Sequence, residues 1–337
     1  MLKEVELYPS GNVVCEGIHE DVGWIIGTSR NVTAESNFPK RLAPDGTIDW
    51  TFAPATGYSL CTAGGLKYDY EADRAWFAVN QSGGSPARTV ACCQLSDGVS
   101  VYDGGQSIGT NPAALIVDAD DDACLVTRNN SSLMYKSAAS TGVADSAWQP
   151  QPVESYRVSA AMSGGRSLWT TGGTDGFRSF PHPIDNGDDP DWIVVAADLG
   201  LGSLNMATSK KTIAADTFGT GWWVTAGATS SYKAWHITLD GTVDVTIDTE
   251  PDWTAAGSGT MVPACDKYGD VYLGRLNSGV GGGYSVARYK PDGTLVWVID
   301  DVFETVGSGG VIDMGVDGEG HILVCSAEGV GTIIEQV

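Results

Sequence analysis

Short apolar runs recur along the chain and are separated by polar, turn-forming residues. Seven of these runs, four of them containing tryptophan, lie near residues 24, 76, 124, 168, 222, 271 and 321. They are only a few residues long, and no convincing run shows the 3.6-residue apolar period of an amphipathic helix. They are therefore predicted to be β-strands, and their spacing of 44 to 54 residues indicates seven equivalent structural units.

A second pattern, an Asp-Gly pair between two apolar runs, follows several of these strands. The pairs are Asp45-Gly46, Asp97-Gly98, Asp240-Gly241 and Asp292-Gly293. Asp-Gly is a strong hairpin pattern because glycine adopts the positive φ that the turn requires. Each unit of roughly 48 residues therefore holds about four short strands, which is the size of a β-propeller blade.

The two ends of the chain predict how these units close into a ring. The seventh unit lacks its Asp-Gly outer strand, whereas residues 3–8 form a spare strand before the first unit. Pairing the two would complete the last blade and remove two open sheet edges. We therefore predict an all-β fold: one domain over residues 1–337, a seven-bladed β-propeller of four-stranded antiparallel blades closed by the N-terminal strand.

The amino-acid composition limits the classes of molecule that the protein is expected to bind. The 42 acidic and 19 basic residues give a net charge of −23, which disfavours binding to nucleic acid and to anionic lipid. No apolar stretch of about 18 residues occurs, so we expect no membrane insertion. Glu4 and Glu6 interrupt any signal-peptide core, so we expect synthesis in the cytosol. Seven cysteines without a C-x-x-C spacing predict buried free thiols.

The segment from Lys40 to Phe52 resembles the delta-sixty repeat, which reads roughly R-L-x-x-D-G-x-h-D-x-x-F, where h is apolar. Partial matches surround Asp240 and Asp292, although Val296 stands where the repeat has aspartate. The three segments cover roughly a tenth of the chain. The resemblance implies a propeller of a kind often found in phage tail or surface proteins, and it carries over no catalytic residue.

Acidic residues at positions 118, 120 and 122 provide a candidate calcium site. Asp118, Asp120 and Asp122 alternate like the carboxylates that open a calcium-binding loop. The following glycine and the distant glutamate of an EF-hand are missing, so the alternative is a solvated turn before the strand at Cys124. The four histidines show no metal-ligand spacing, and no serine-hydrolase motif occurs. We expect no other metal, no cofactor and no catalytic motif.

Tryptophans provide a candidate binding surface. Most of those in the repeated strand column are predicted to be blade core, whereas Trp148, Trp192 and Trp253 lie near turns and are predicted to be exposed. Exposed indoles bind sugars and protein partners. These three are therefore the candidates for a ligand or partner surface.

Three functions fit these observations. The first is a non-catalytic structural or interaction module of a virus particle, such as a phage tail or tail-fibre accessory protein that acts in assembly or host attachment. Its partners would be other virion or tail proteins and a host-surface glycan or protein. The alternatives are a carbohydrate-binding lectin or sugar-active enzyme with an acidic, aromatic face, and a cellular scaffold or surface-layer protein.

Overall fold

The computed structural model describes most of the chain in separate ranges. These are residues 1–28, 37–53, 58–60, 65–81, 90–104, 112–118, 120, 122–128, 134–145, 156–171, 175–184, 189–201, 211–225, 233–249, 261–276, 284–303 and 311–335. Within these ranges the chain forms 28 strands and a short 3-10 helix, Ala196–Leu199. In the same ranges, no helix is long and apolar enough to cross a membrane.

The strands are short, as the apolar runs predicted. In chain order they are β1 (Leu2–Glu6), β2 (Val13–Gly17), β3 (Trp24–Thr28), β4 (Lys40–Leu42), β5 (Ile48–Thr51), β6 (Tyr58–Leu60), β7 (Leu66–Asp69), β8 (Arg74–Gln81), β9 (Val90–Cys93), β10 (Ser100–Gly104), β11 (Pro112–Asp118), β12 (Ala123–Arg128), β13 (Met134–Ala138), β14 (Tyr156–Ser163), β15 (Arg166–Thr171), β16 (Asp175–Pro181), β17 (Trp192–Val195), β18 (Ile213–Ala215), β19 (Gly221–Thr225), β20 (Lys233–Thr238), β21 (Val243–Asp248), β22 (Val262–Cys265), β23 (Val271–Leu276), β24 (Tyr284–Tyr289), β25 (Leu295–Ile299), β26 (Val311–Val316), β27 (Ile322–Ser326) and β28 (Val330–Ile334).

These strands form seven antiparallel blades, which confirms the predicted fold class. Blades 1, 4, 5 and 6 consist of β2–β5, β14–β17, β18–β21 and β22–β25. In blade 2, β6 and β7 both pair with β8, followed by β9 and β10. Blade 3 contains β11–β13, and the isolated bridge Ser137↔Ala144 follows β13. We letter the strands of each blade a to d from the centre outwards.

The innermost a strands pack against one another around a central channel. β2 contacts β7, and contacts continue through β11, β14, β18 and β22 to β26, which returns to β2. The blades therefore form a closed ring, and both faces of each sheet are covered by neighbouring blades.

The N-terminal strand closes this ring, as predicted. Blade 7 contains β26–β28 and, as its outermost strand, β1. β1 pairs antiparallel with β28, from Leu2↔Ile334 to Glu6↔Val330. The strand is shorter than the predicted 3–8 because Leu7 and Tyr8 turn inward and are buried. Their backbone N–H groups donate to the carbonyl of Gly329 at 2.9 and 3.0 Å.

The tryptophans of the b strands form the blade core, as predicted. Trp24, Trp76, Trp169 and Trp222 are all buried. Two of them also donate a hydrogen bond to the a strand of the preceding blade. Trp24 Nε1 lies 3.0 Å from the carbonyl oxygen of Gly315, and Trp222 Nε1 lies 3.1 Å from that of Ala161. The indole therefore supplies both apolar area and a satisfied polar contact between blades.

Tryptophans on two of the d strands connect their blade to the following one. Trp50 of blade 1 donates its indole N–H to the carbonyl of Leu95 in blade 2, at 2.9 Å. Trp192 of blade 4 makes the equivalent bond to Leu239 in blade 5, also at 2.9 Å. Both acceptors lie just before an Asp-Gly turn, so the same contact is repeated at two blade junctions.

The glycine of the Asp-Gly turn is required by this contact as well as by its backbone angle. Gly98 and Gly241 have φ angles of +74° and +86°. A Cβ atom at Gly98 would lie 2.8 Å from the Trp50 ring, and one at Gly241 would lie 2.8 Å from the Trp192 ring. The recurring glycine therefore serves both the hairpin and the packing of the next blade against the tryptophan.

Replacement of Gly98 by alanine should separate these two roles. Gly165 is the matched control, because its φ is +73° and a Cβ there would have no atom within 4 Å. We expect Gly165→Ala to lower the free energy of unfolding by roughly 1 kcal/mol, which is the cost of a left-handed backbone. Gly98→Ala should cost about 1–3 kcal/mol more, because the Trp50 ring must move. Urea unfolding of both variants measures the difference, and equal losses would contradict the packing role of Gly98.

Candidate interaction surface

Charged side chains from several blades meet inside the central channel. Lys211, two residues before β18, places its Nζ atom 3.5 Å from Glu16 Oε2 of β2 and 3.7 Å from Asp313 Oδ1 of β26. Lys67 of β7 places its Nζ atom 3.3 Å from Glu16 Oε1. Glu16 is therefore bound by two lysines from different blades. These residues line or adjoin a cavity of about 240 Å³.

The pKa shifts of this network follow from burial and from the close contacts between its charges. Burial alone lowers the pKa of Lys211, but the carboxylates of Glu16 and Asp313 outweigh it and raise that pKa above its ordinary value. Burial raises the pKa of Asp313 to about 6, despite the nearby Lys211 ammonium. A lysine held this firmly in its charged form is a poor base and nucleophile. The network joins the a strands across the channel.

Removal of the Lys211 charge should destabilise the protein strongly. Lys211→Met leaves Glu16 and Asp313 buried without their main partner, and we expect a loss of about 3–5 kcal/mol in the free energy of unfolding. Lys233→Met is the matched control, because Lys233 pairs with Asp248 at 3.2 Å with both side chains at least 36% exposed. That exposed pair should be worth about 0–1 kcal/mol. Similar losses in the two variants, measured by chemical denaturation, would contradict this assignment.

The channel opens on the face formed by the a–b turns. We call this opening, about 850 Å³ in volume, the channel mouth. Its walls include Glu20, Tyr68, Tyr70, Glu71, Thr217 and Lys267. The Tyr68 hydroxyl donates to Glu20 Oε2 at 2.9 Å and accepts from the backbone N–H of His19 at 2.8 Å. The mouth is thus a polar cavity with walls from blades on opposite sides of the ring.

Exposed aromatic side chains lie on turns around the channel mouth. Tyr70, Phe218 and Tyr268 lie on the a–b turns of blades 2, 5 and 6 and are 44%, 62% and 63% exposed. We call these three residues the aromatic rim. The ammonium group of Lys267 lies 5.3 Å from the centre of the Tyr268 ring, within the range of a cation–π contact. The rim therefore combines apolar area with a ring that already contacts a cation.

Aspartates hold two of these turns in a fixed shape. Asp216 accepts a hydrogen bond from the backbone N–H of Thr220 at 2.9 Å, and Asp266 accepts one from that of Tyr268 at 2.8 Å. Asp317 caps the corresponding turn of blade 7 through the N–H of His321, at 2.8 Å. All three begin an Asp-x-x-Gly segment, a sequence pattern that could have identified these turns. Phe218 and Tyr268 are thus presented on rigid hairpins.

His236 links one capping aspartate to the c strand. Its Nε2 atom lies 3.0 Å from Asp216 Oδ2, and its Nδ1 atom lies 2.7 Å from Asp244 Oδ1. Burial lowers the pKa of His236, but its hydrogen bonds to the two carboxylates outweigh this effect and raise the pKa above the ordinary value. The imidazolium form therefore stabilises the turn that carries Phe218.

The stability of the protein should depend on pH through His236. Because the folded pKa is raised, the stabilisation is fully present below the unfolded pKa of about 6.5 and is lost as the pH rises through the folded value. His236→Gln should therefore lower the free energy of unfolding more at about pH 6 than at about pH 9. Urea unfolding of the wild type and the variant at both pH values measures this. The same loss at both would contradict it.

The candidate calcium residues do not converge in the structure. Asp118 is buried, and its Oδ2 atom lies 2.9 Å from His182 Nδ1. Asp122 instead accepts bonds from the backbone N–H and the hydroxyl of Ser140, at 2.6 and 2.9 Å, while Asp120 is exposed. In the described part of the chain, no three His, Cys, Asp or Glu side chains form a group that could hold a metal. Calcium binding at these residues stays a prediction.

Of the three candidate tryptophans, the structure describes one. Trp192 is half-buried, its N–H is bonded to Leu239, and its ring lies 6.0 Å from that of Trp222 in an edge contact. It therefore contributes to a blade junction, and a role in binding stays a prediction. Trp148 and Trp253 lie outside the described residues. The aromatic rim was missed because its residues sit in turns, where no repeated strand position points to them.

Comparison with known proteins shows which architecture the chain has but does not show its family. No protein-family model matches the chain, and no curated protein matches it. Among solved structures, the WD40 β-propeller domain of Doa1 is similar, with a TM-score of 0.61 and 12% identity over 99% of this chain and 96% of that one. Raptor from Chaetomium thermophilum is similar with a TM-score of 0.63 and 9% identity, over 99% of this chain and 28% of Raptor. At such identities the similarity shows the fold alone, a WD40-like β-propeller.

Proposed function

We propose that this protein is a non-catalytic interaction module that binds a protein partner at the aromatic rim. The observation that carries the proposal is the exposure of Tyr70, Phe218 and Tyr268 on turns beside one open cavity. Aromatic residues are enriched in protein interfaces and often contribute most of the binding energy. The WD40 propellers among its structural neighbours share the fold that would present such a face.

The rigidity of the site supports this proposal. Asp216 and Asp266 fix the turns that carry two of the three rim residues, and the channel network fixes the a strands beneath them. A surface that is already ordered loses little conformational entropy on binding. The Lys211 ammonium group is held in its charged form by Glu16 and Asp313 and is therefore a poor nucleophile.

A triple variant should separate the rim from the rest of the surface. Tyr70→Ser/Phe218→Ser/Tyr268→Ser should weaken the complex with a partner isolated from the native source by roughly 100-fold or more. The matched control is Val99→Ser/Val143→Ser/Val296→Ser, whose side chains are 54%, 66% and 42% exposed. Affinity is measured by calorimetry, and thermal unfolding verifies that both variants fold. Equal affinity of the rim variant and the control would overturn the proposal.

A narrower form of the proposal places the partner in a virus particle. The resemblance of residues 40–52 to the delta-sixty repeat supports it, with the partner being a phage tail component or a host-surface molecule. Cryo-electron microscopy of the native particle should then show a seven-bladed disc at defined tail or capsid sites. Absence of the chain from purified particles would overturn this narrower form and leave the interaction module standing.

The lectin hypothesis has a test of its own. Quenching of tryptophan fluorescence by a saccharide from a broad glycan panel, with no protein partner found, would favour it over the interaction module.

A further inference from the structure

When the residues of the internal ion pairs are set aside, the walls of the channel mouth carry more negative than positive side chains. Glu16 is bound by Lys67 and Lys211, and Asp216 is bound by His236. The remaining charged side chains that the structure describes in the walls of the mouth are three carboxylates and one ammonium group. They are Glu20, Asp69, Glu71 and Lys267. The mouth is therefore acidic, within a protein whose net charge is −23.

We infer that the channel mouth receives a lysine or arginine side chain from a basic segment of the protein partner. The inference rests on the proposed interaction function and adds the chemistry of the partner. A cation entering the mouth would meet the carboxylates of Glu20 and Glu71 and could lie against the Tyr70 ring, which contributes to the same walls. Cations bind favourably over aromatic faces and beside carboxylates.

The chain itself provides an internal example of this contact. The Lys267 ammonium group lies over the Tyr268 ring at the edge of the mouth. The cavity of about 850 Å³ falls in the range of pockets that enclose a ligand group, and it leads inward to Glu16. Glu16 already has two lysine partners, so we place the incoming cation at the outer carboxylates rather than in the channel.

The proposal is tested with a defined probe. We would use a fluorescent peptide of alternating glycine and arginine, with an alternating glycine–glutamate peptide as the opposite probe, and measure anisotropy at low and physiological ionic strength. The arginine peptide should bind the wild type, and Glu20→Gln/Glu71→Gln should weaken it roughly tenfold. The control Glu4→Gln/Glu6→Gln removes the same charge from β1 at the outer edge and should change the affinity by less than about twofold.

A gain of affinity provides a second, opposite test. Lys267→Gln removes the competing positive charge from the mouth and should strengthen binding of the arginine peptide several-fold. Lys3→Gln makes the same change in charge on β1 and should leave the affinity unchanged. Thermal unfolding verifies that the exposed substitutions leave the fold intact.

The outcomes distinguish this inference from the proposed function. Equal weakening by the two glutamate pairs would show diffuse attraction to an acidic protein and overturn the inference. Binding of the glutamate peptide at the mouth would overturn it too. If the rim variant loses the native partner while Glu20→Gln/Glu71→Gln keeps it, the inference fails and the interaction function stands. If neither variant loses that partner, both fail.

Discussion

The antiparallel pairing of β1 with β28 closes the ring, and the packing of every other blade depends on this closure. A blade buries both of its faces against neighbours, so an open ring would expose two apolar faces and two strand edges. β1 also reproduces the outer contact found at other junctions. A Cβ atom at Gly46, in the Asp-Gly turn of blade 1, would lie 3.2 Å from Val5 of β1. Val5 thus occupies the place that Trp50 has against Gly98, and the seam between blades 7 and 1 uses the same arrangement as an internal junction.

The closed ring fixes the relative positions of the residues that form the candidate surface. Tyr70 and Phe218 are 148 positions apart in the sequence, yet the walls of one cavity include Tyr70 and Thr217, the neighbour of Phe218. This proximity depends on the a strands keeping a constant spacing around the channel. The network of Glu16, Lys67, Lys211 and Asp313 contributes to that spacing, because each ion pair connects different blades. Separating a buried ion pair leaves buried charges without a partner, which is strongly destabilising. The network therefore favours the closed arrangement of the blades over any arrangement that pulls these residues apart.

The sequence predicted the repeated features and the closure of the ring by the N-terminal strand, but it missed contacts between residues that lie far apart in the chain. Seven units, antiparallel strands, N-terminal closure and the buried Trp24, Trp76, Trp169 and Trp222 all followed from periodic apolar runs and turn residues. The channel network could not be predicted in this way, since Glu16 and Lys211 are 195 positions apart and meet only when the ring closes. Trp192 shows the limit of local patterns. Its position near a turn suggested exposure, but the Asp-Gly turn of the next blade covers part of its ring.

The distribution of charge connects the fold to the proposed partner. Several of the 19 basic residues are engaged in contacts with carboxylates: Lys67 and Lys211 in the channel, and Arg41 and Arg288 beside the a–b turns. Bases used in this way neutralise structural carboxylates and leave fewer positive charges to balance the acidic surface. The proposed partner would therefore meet a negative field, and such a field speeds encounters with basic surfaces and repels acidic ones. The aromatic rim can then convert such an encounter into a short-range complex, because its apolar contacts are far less sensitive to salt than the field that brings the partner in.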